Sequence, residues 1–304
     1  MKDGNEYNKK FYYLKKVSDH KYGFVCSRQF KADGIIDVQL VNRCVAFAHE
    51  MAFGSGEHRK NRSGGTKERT PEEIYVNTLQ GKLAETALYD YLLNHKLKPS
   101  NIDFSVSGKG IWDTFDLACS GHVMNVKSTK YYGQLLLLEK ADWDDNGNYI
   151  PNQEKGYDKY DEIVLIRINP DVEDVIKRTN SFWTWGEKEQ EEFWKEQKYL
   201  YEFSGYITHE DLKYIIRHNY VIRKGDYIGK ACKDYKGTCM DADNYYVQLS
   251  SMRKKEDVYG KRIGTYIRVD LRKQVSFYRE GKYTLTVSSR GGYERQYITL
   301  LQNG

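Results

Sequence analysis

With 304 residues, 39% of them hydrophobic and 27 of them Tyr, the chain has enough apolar and aromatic area to bury a core, which excludes a disordered polypeptide. No window approaches the roughly 20 apolar residues of a membrane-spanning helix, so no membrane partner and a cytoplasmic location are expected. The formal charge of +5 is compatible with a nucleic-acid partner and equally with many ordinary enzymes.

In chain order, residues 1–69 combine short aromatic and β-branched segments at 10–14, 22–26 and 35–40 with a helix expected over 41–51. The Gly/Ser-rich run from Gly56 to Arg69 carries Arg59, Lys60, Arg62, Lys67 and Arg69 against Glu57 and Glu68. It suits a phosphate backbone, or equally a solvated loop. Thr70-Pro71-Glu72-Glu73 then specifies a helix start, with Thr70 as N-cap, proline at the first position and Glu73 completing a capping box. The helix is expected to run towards Asn94. Leu83, Ala84, Ala87, Leu88, Tyr91 and Leu92 recur at helical spacing, and Glu85 lies at the edge of that apolar face.

Past Ile102 the pattern shortens to extended segments at 103–106, 114–119 and 122–128, with a Gly-rich turn at 107–110 and a second turn at Ser120-Gly121. Asp161 to Ile168 is the most apolar short run and reads as a buried central strand. Residues 171–200 read as amphipathic helix rich in Trp, and Thr208 opens another helix through His218. After Gly225 the texture is Tyr-rich and β-like. An α/β fold of the α+β kind is expected, in which a central mixed sheet flanked by helices spans 70–218. An N-terminal region covers 1–69, and a β-rich C-terminal region suited to DNA recognition or dimerisation covers 219–304.

Period-two geometry places Asn125 and Lys127 on one face of their strand, with Met124 and Val126 on the other, buried face. Asp116, on the preceding strand, pairs near Asn125, so carboxylate, amide oxygen and ammonium can converge, and Glu85 can approach from the helix. Phosphodiester hydrolysis needs such a set: oxygen ligands hold a hard cation, and a lysine orients the attacking water or stabilises charge on phosphorus. A surface ion pair across the hairpin is the plainer alternative. Asp113 competes with Asp116 for the metal role, and Asp103 is a weaker rival.

Other motifs carry less. Residues 142–149 (DWDDNGNY) open like a Ca²⁺ loop, but the twelfth position is Gln153, where a bidentate glutamate is required, so they read as an acidic turn. The five cysteines, Cys26, Cys44, Cys119, Cys232 and Cys239, match neither a disulfide framework nor a zinc knuckle. There is no HExxH and no GxxxxGK[ST] phosphate loop.

GKLAETALYDYLL at 81–93, WDTFDLACSGHVMNVKSTK at 112–130 and DEIVLIRI at 161–168 resemble the core of PD-(D/E)xK nucleases, and specifically type II restriction endonucleases. FSGYITHEDL at 203–212 is similar to a segment found downstream in such nucleases. The resemblance implies a restriction-endonuclease-like fold and Mg²⁺-dependent cleavage of double-stranded DNA at a specific sequence. It assigns Asp116 as the metal-binding aspartate, Asn125 to the position usually held by Asp or Glu, Lys127 as the catalytic lysine and Glu85 as the helix carboxylate. One or two Mg²⁺ would then sit on Asp116, Asn125 and Glu85. Ser128 and Lys130 would join the basic loop at the DNA backbone, and a homodimer and a cognate methyltransferase are the implied partners. Asn125 departs from the family pattern, and a neutral ligand weakens cation binding. The alternatives are a repair or modification-dependent nuclease of the same fold, and an inactive DNA-binding scaffold.

Overall fold

A computed structural model describes residues 11–54, 69–105, 115–156, 158–179 and 181–254, together with the backbone of strands at 283–289 and 296–302. The chain is mixed α/β and divides into two compact units, Met1–Arg253 and Lys254–Gly304.

The first unit opens with the hairpin β1 (Lys15–Ser18) and β2 (Lys21–Phe24), then β3 (Gly34–Ile35) and helix α1 (Val38–Phe53). α1 begins three residues before the expected 41 because Asp37 caps it, its carboxylate accepting from the Gln39 N–H at 2.8 Å. α2 (Pro71–Asn94) starts as its sequence dictates: Thr70 and Glu73 satisfy each other's backbone N–H groups in a capping box. Residues 103–105, expected as an extended segment, form no strand. The Asp103 carbonyl instead accepts from the Lys82 ammonium at 3.0 Å.

Next come β4 (Leu117–Cys119), β5 (His122–Lys130), β6 (Leu135–Glu139) and β7 (Glu162–Asn169). The expected helical stretch at 171–200 is two helices, α3 (Val172–Arg178) and α4 (Glu187–Glu196). They are separated by an aromatic turn in which Trp183 and Trp185 each pack on Phe182. β8 (Leu200–Thr208) leads directly into α5 (His209–Arg217), whose N-cap Thr208 and Asp211 again form a capping box.

The central sheet has the order β3-β8-β7-β5-β4, with β5 and β7 parallel and the other neighbours antiparallel. Its two faces are both covered, which is why β7 is buried along nearly its whole length. On one face Ile163, Leu165 and Ile207 join a cluster with Leu136 and Leu138 of β6 and Leu212 and Ile215 of α5. On the other face Phe203, the cross-strand partner of Ile166, meets the Tyr91 ring of α2 at 5.3 Å.

The β7–β8 ladder carries a bulge between Leu165 and Ile166. Opposite Leu165 stands Gly205, with φ of +149°. A Cβ there would lie 2.8 Å from the Arg253 carbonyl oxygen, so only glycine lets that segment pair with Tyr206.

Residues 219–253, expected in a separate C-terminal region, belong to the first unit. β9 (Val221–Ile222) and β12 (Asn244–Gln248) form a sheet with β6; β10 (Tyr227–Lys230) and β11 (Gly237–Cys239) extend the β1–β2 hairpin, with β10 parallel to β2. Residues 11–54 are equally part of it: β3 is an edge of the central sheet, and Cys44 of α1 contacts the Thr86 hydroxyl of α2 at 3.2 Å. The second unit contains the hairpin β13 (Tyr283–Ser289) and β14 (Gln296–Gln302). Among the described residues no helix is long and apolar enough to cross a membrane.

Candidate active site

The hairpin β4–β5 sets the geometry. Its ladder pairs Cys119 with His122, Ala118 with Val123 and Leu117 with Met124. One step further β4 has ended, and Asp116 lies beside Asn125, as the hairpin pattern requires. There the Asp116 side chain replaces the missing strand: Oδ2 accepts from the Val126 N–H at 2.6 Å. Burial raises the Asp116 carboxyl above its ordinary range and outweighs the Lys127 charge, the Val126 hydrogen bond and the Lys82 charge, which all favour the anion.

Asn125 is 4% exposed, and its Oδ1 finds no hydrogen-bond partner among the described residues. Buried amide oxygens are rarely left so. Met124 and Val126 are buried as expected, but so is Asn125, because both faces of the sheet are covered. The parallel register sets Asn125 beside Ile163 and Lys127 beside Leu165. Cross-strand neighbours share a face, so both side chains lie on the face opposite α2.

Glu85 consequently does not share their face. It is bound within its own helix, where Lys82 Nζ donates to Oε2 at 2.6 Å. The pair is wedged between α1 and α2: the Lys82 ammonium lies 4.8 Å from the centre of the Phe47 ring and 5.7 Å from that of Phe104. Nearby, burial pushes the Cys44 thiol up to about 12. Asp116, at the open end of the short edge strand, feels charge from Lys127 on the strand and Lys82 on the helix.

Lys82 is the residue that the sequence reading missed. It is 6% exposed. A signal was present, because position 82 lies three residues from Leu79 and seven from Tyr75, both fully buried, so helical periodicity places it on the inward stripe.

The remaining candidates separate. Asp113 and the basic residues Arg59, Lys60, Arg62 and Lys67 lie outside the described residues, and Arg69 is half-buried just before α2. Ser128 is half-buried, and its register partner Ile166 puts it on the α2 face, away from Lys127. Lys130 is committed elsewhere, with Asp171, Glu173 and Asp174 carboxylates at 3.1, 2.9 and 3.6 Å. Burial opposes its charge, but hydrogen bonds and attraction from Glu173 and Asp171 raise its pKa overall. A lysine so neutralised is a poor phosphate contact. The acidic turn at 142–149 is self-satisfied, with the Asp144 carboxylate accepting from Asn146 and Asn148.

Among the described residues no three His, Cys, Asp or Glu side chains are grouped for a metal ion. Two hard oxygen donors belong to neighbouring chain positions: the Asp116 carboxylate, bound to the Val126 N–H, and Asn125 Oδ1, without a hydrogen-bond partner among the described residues. That fits Mg²⁺, which keeps several waters and takes only one or two protein ligands. Comparison with protein-family models, curated proteins and solved structures finds no match to the chain.

Proposed function

We propose that the chain is a Mg²⁺-dependent endonuclease of restriction type that hydrolyses double-stranded DNA. The observation that carries the reading is the buried Oδ1 of Asn125, without a hydrogen-bond partner among the described residues, next in the chain to the Val126 N–H that binds the Asp116 carboxylate, with Lys127 on the same strand face. Asp116 and Asn125 would hold the cation through oxygen. When bound, Mg²⁺ neutralises charge on the scissile phosphate and makes a coordinated water more acidic. The Lys127 ammonium orients the attacking water or stabilises the charge developing on phosphorus. The restriction-endonuclease-like fold, a homodimer, a symmetric DNA target and a cognate methyltransferase all belong to this reading.

Plasmid digestion tests it. With Mg²⁺ the purified protein gives discrete bands on unmodified DNA, and Lys127→Ala abolishes them. Cutting confined to modified or branched DNA points to a repair or modification-dependent nuclease of the same fold. If plasmids of diverse sequence and modification stay intact, the nuclease reading fails.

One observation favours a second reading, DNA binding without cleavage: Glu85 is held by Lys82, and the adjacent ligand position is a neutral amide. That protein binds DNA with steep salt dependence, no divalent-metal requirement and no cleavage under any cation.

A further inference from the structure

We infer that the outer face of the small sheet β1-β2-β10-β11 is a DNA-backbone contact surface, on which Lys15, Lys21, Lys233 and Lys236 meet duplex phosphates. This rests on the nuclease reading for its partner alone, not for the chemistry at Asp116. Side chains two apart on a strand share a face. Tyr22, Phe24 and Ile228 join the apolar core, so Lys21, Gly23, Tyr227 and Gly229 face away from it. The ladders carry that outer face across the sheet. Lys15, Gly23, Gly229 and Gly237 stand in one row, and Ser18, Lys21, Tyr227 and Cys239 in the next. The bare glycine row lets the segment 231–236 lie directly on the strands. A Cβ at Gly23 would come within 2.7 Å of the Ala231 nitrogen, and one at Gly237 within 2.5 Å of the Tyr235 hydroxyl. That hydroxyl donates to the Tyr22 and Tyr227 carbonyls, at 3.0 and 2.8 Å. Lys233 and Lys236 are therefore carried on a backbone pinned to the sheet.

The charge of this surface is not neutralised locally. The four strands carry Lys15, Lys16, Lys21 and Lys230 and no Asp or Glu. Lys16 is taken by Asp19 at 2.7 Å. Lys15, Lys21, Lys233 and Lys236 are all exposed, and none of them pairs with a carboxylate among the described residues. Asp234 is the one acidic residue of the segment 231–236, and nearby Asp226 is buried and held by His20 at 2.8 Å. Lysines of this kind, unlike Lys130 with its three carboxylates, gain by releasing counterions from a phosphate backbone. Tyr227, 41% exposed beside Lys21, adds a hydroxyl donor of the sort that positions DNA without reading its sequence. An anionic membrane would call for apolar side chains set among the charges. The two outward rows hold no Leu, Ile, Val, Phe or Trp, and duplex DNA is the partner that fits.

Fluorescence anisotropy of a labelled 30-base-pair duplex in EDTA tests this without cleavage, through the slope of log Kd against log salt. The quadruple variant Lys15→Ala/Lys21→Ala/Lys233→Ala/Lys236→Ala lowers that slope by about three to four, and Kd at 0.1 M salt weakens by at least about tenfold. The single variants Lys21→Ala and Lys233→Ala, which change one exposed side chain each, lower the slope by about one and keep the test open if the quadruple variant folds poorly. Lys195→Ala/Lys198→Ala removes two exposed charges beside α4 and leaves the slope as in wild type. An unchanged slope in the quadruple and single variants, or an equal effect of the Lys195/Lys198 control, overturns the inference. So does an unchanged slope together with loss of binding to phosphatidylserine vesicles, which assigns the face to a membrane. If plasmid is cut in Mg²⁺ while the slope stays unchanged, the nuclease reading stands without this surface. A lowered slope with uncut plasmid sustains the surface and overturns the nuclease reading, and a wild type that neither binds duplex nor cuts plasmid overturns both.

Discussion

Asp116 accepts a hydrogen bond from the Val126 backbone N–H at 2.6 Å, one step beyond the last β4–β5 ladder pair. A charged side chain therefore ends an edge strand where a backbone carbonyl would ordinarily continue it. The carboxylate is tied down by that bond while burial disfavours its charge. Because its folded pKa is raised, protonation favours the folded state. That contribution is fully present below the ordinary carboxylate range and is lost as pH rises through the folded value.

Asp116→Asn keeps an oxygen for the Val126 N–H and removes the buried charge. At pH 7 the variant is expected to be more stable than wild type by on the order of 1 kcal/mol, a rise of roughly 2–4 °C in Tm for a chain of this size. The difference closes in acid. Thermal melts across pH 3 to 8 check this, and equal or lower stability of the variant at neutral pH contradicts it. On the proposed nuclease reading, cleavage is expected to be lost in the same variant.

Asn125→Asp puts a second carboxylate at the position next to Val126, where the amide oxygen it replaces has no hydrogen-bond partner among the described residues. In EDTA the variant is expected to lose about 1–3 kcal/mol, the cost of an uncompensated buried polar or charged group. Mg²⁺ then raises its Tm by more than it raises the wild type's. Scanning fluorimetry with and without the ion reads both effects, and an identical Mg²⁺ response in the two proteins removes Asn125 from the site.

A second network fixes the N-terminal segment to the central sheet. Glu202, 5% exposed, accepts from Arg28 at 2.6 Å, from Arg167 at 2.5 Å and from the Lys31 N–H at 2.9 Å. Arg167 is fully buried and also donates to the Arg28 and Gln29 carbonyls. Glu202→Ala leaves that guanidinium without its counter-charge and is expected to cost about 3–5 kcal/mol, measured by urea denaturation. A loss under 1 kcal/mol shows that water or rearrangement takes over the role of Glu202.

Lys130 divides a structural from a DNA-contacting role. Its charge is spent on Asp171, Glu173 and Asp174, so Lys130→Ala is expected to lower stability by about 1 kcal/mol through the mutual repulsion of those carboxylates. The slope of log Kd against log salt for DNA stays unchanged. A drop of about one in that slope instead assigns Lys130 to a phosphate.

The parts legible in the sequence are those governed by local rules. The Thr70 capping box, the Ser120-Gly121 turn with Asp116 beyond it, the buried strand ending at 169 and the helix start at Thr208 all follow from side chains acting on backbone within a few residues. Lys82 escaped because a lysine three residues from a glutamate usually reads as a solvated pair, although its periodicity pointed inward. The facing of Glu85 relative to Asn125 depends on which sheet face α2 covers, which the spacing along either element cannot specify. Residues 219–253 escaped for a related reason: β10 joins β2 and β12 joins β6 through backbone hydrogen bonds, and ladder bonds leave no trace in composition.

The parallel pairing of Lys21–Phe24 with Tyr227–Lys230 also has a meaning in time. The two partners are separated by roughly 200 residues, and a ribosome adding roughly 5–20 residues per second delivers the second some ten to forty seconds after the first. Throughout synthesis β2 has only β1 beside it, and a lone two-stranded hairpin is marginally stable in water. Its free edge is therefore open to a chaperone or to a neighbouring nascent chain until Tyr227–Lys230 has emerged.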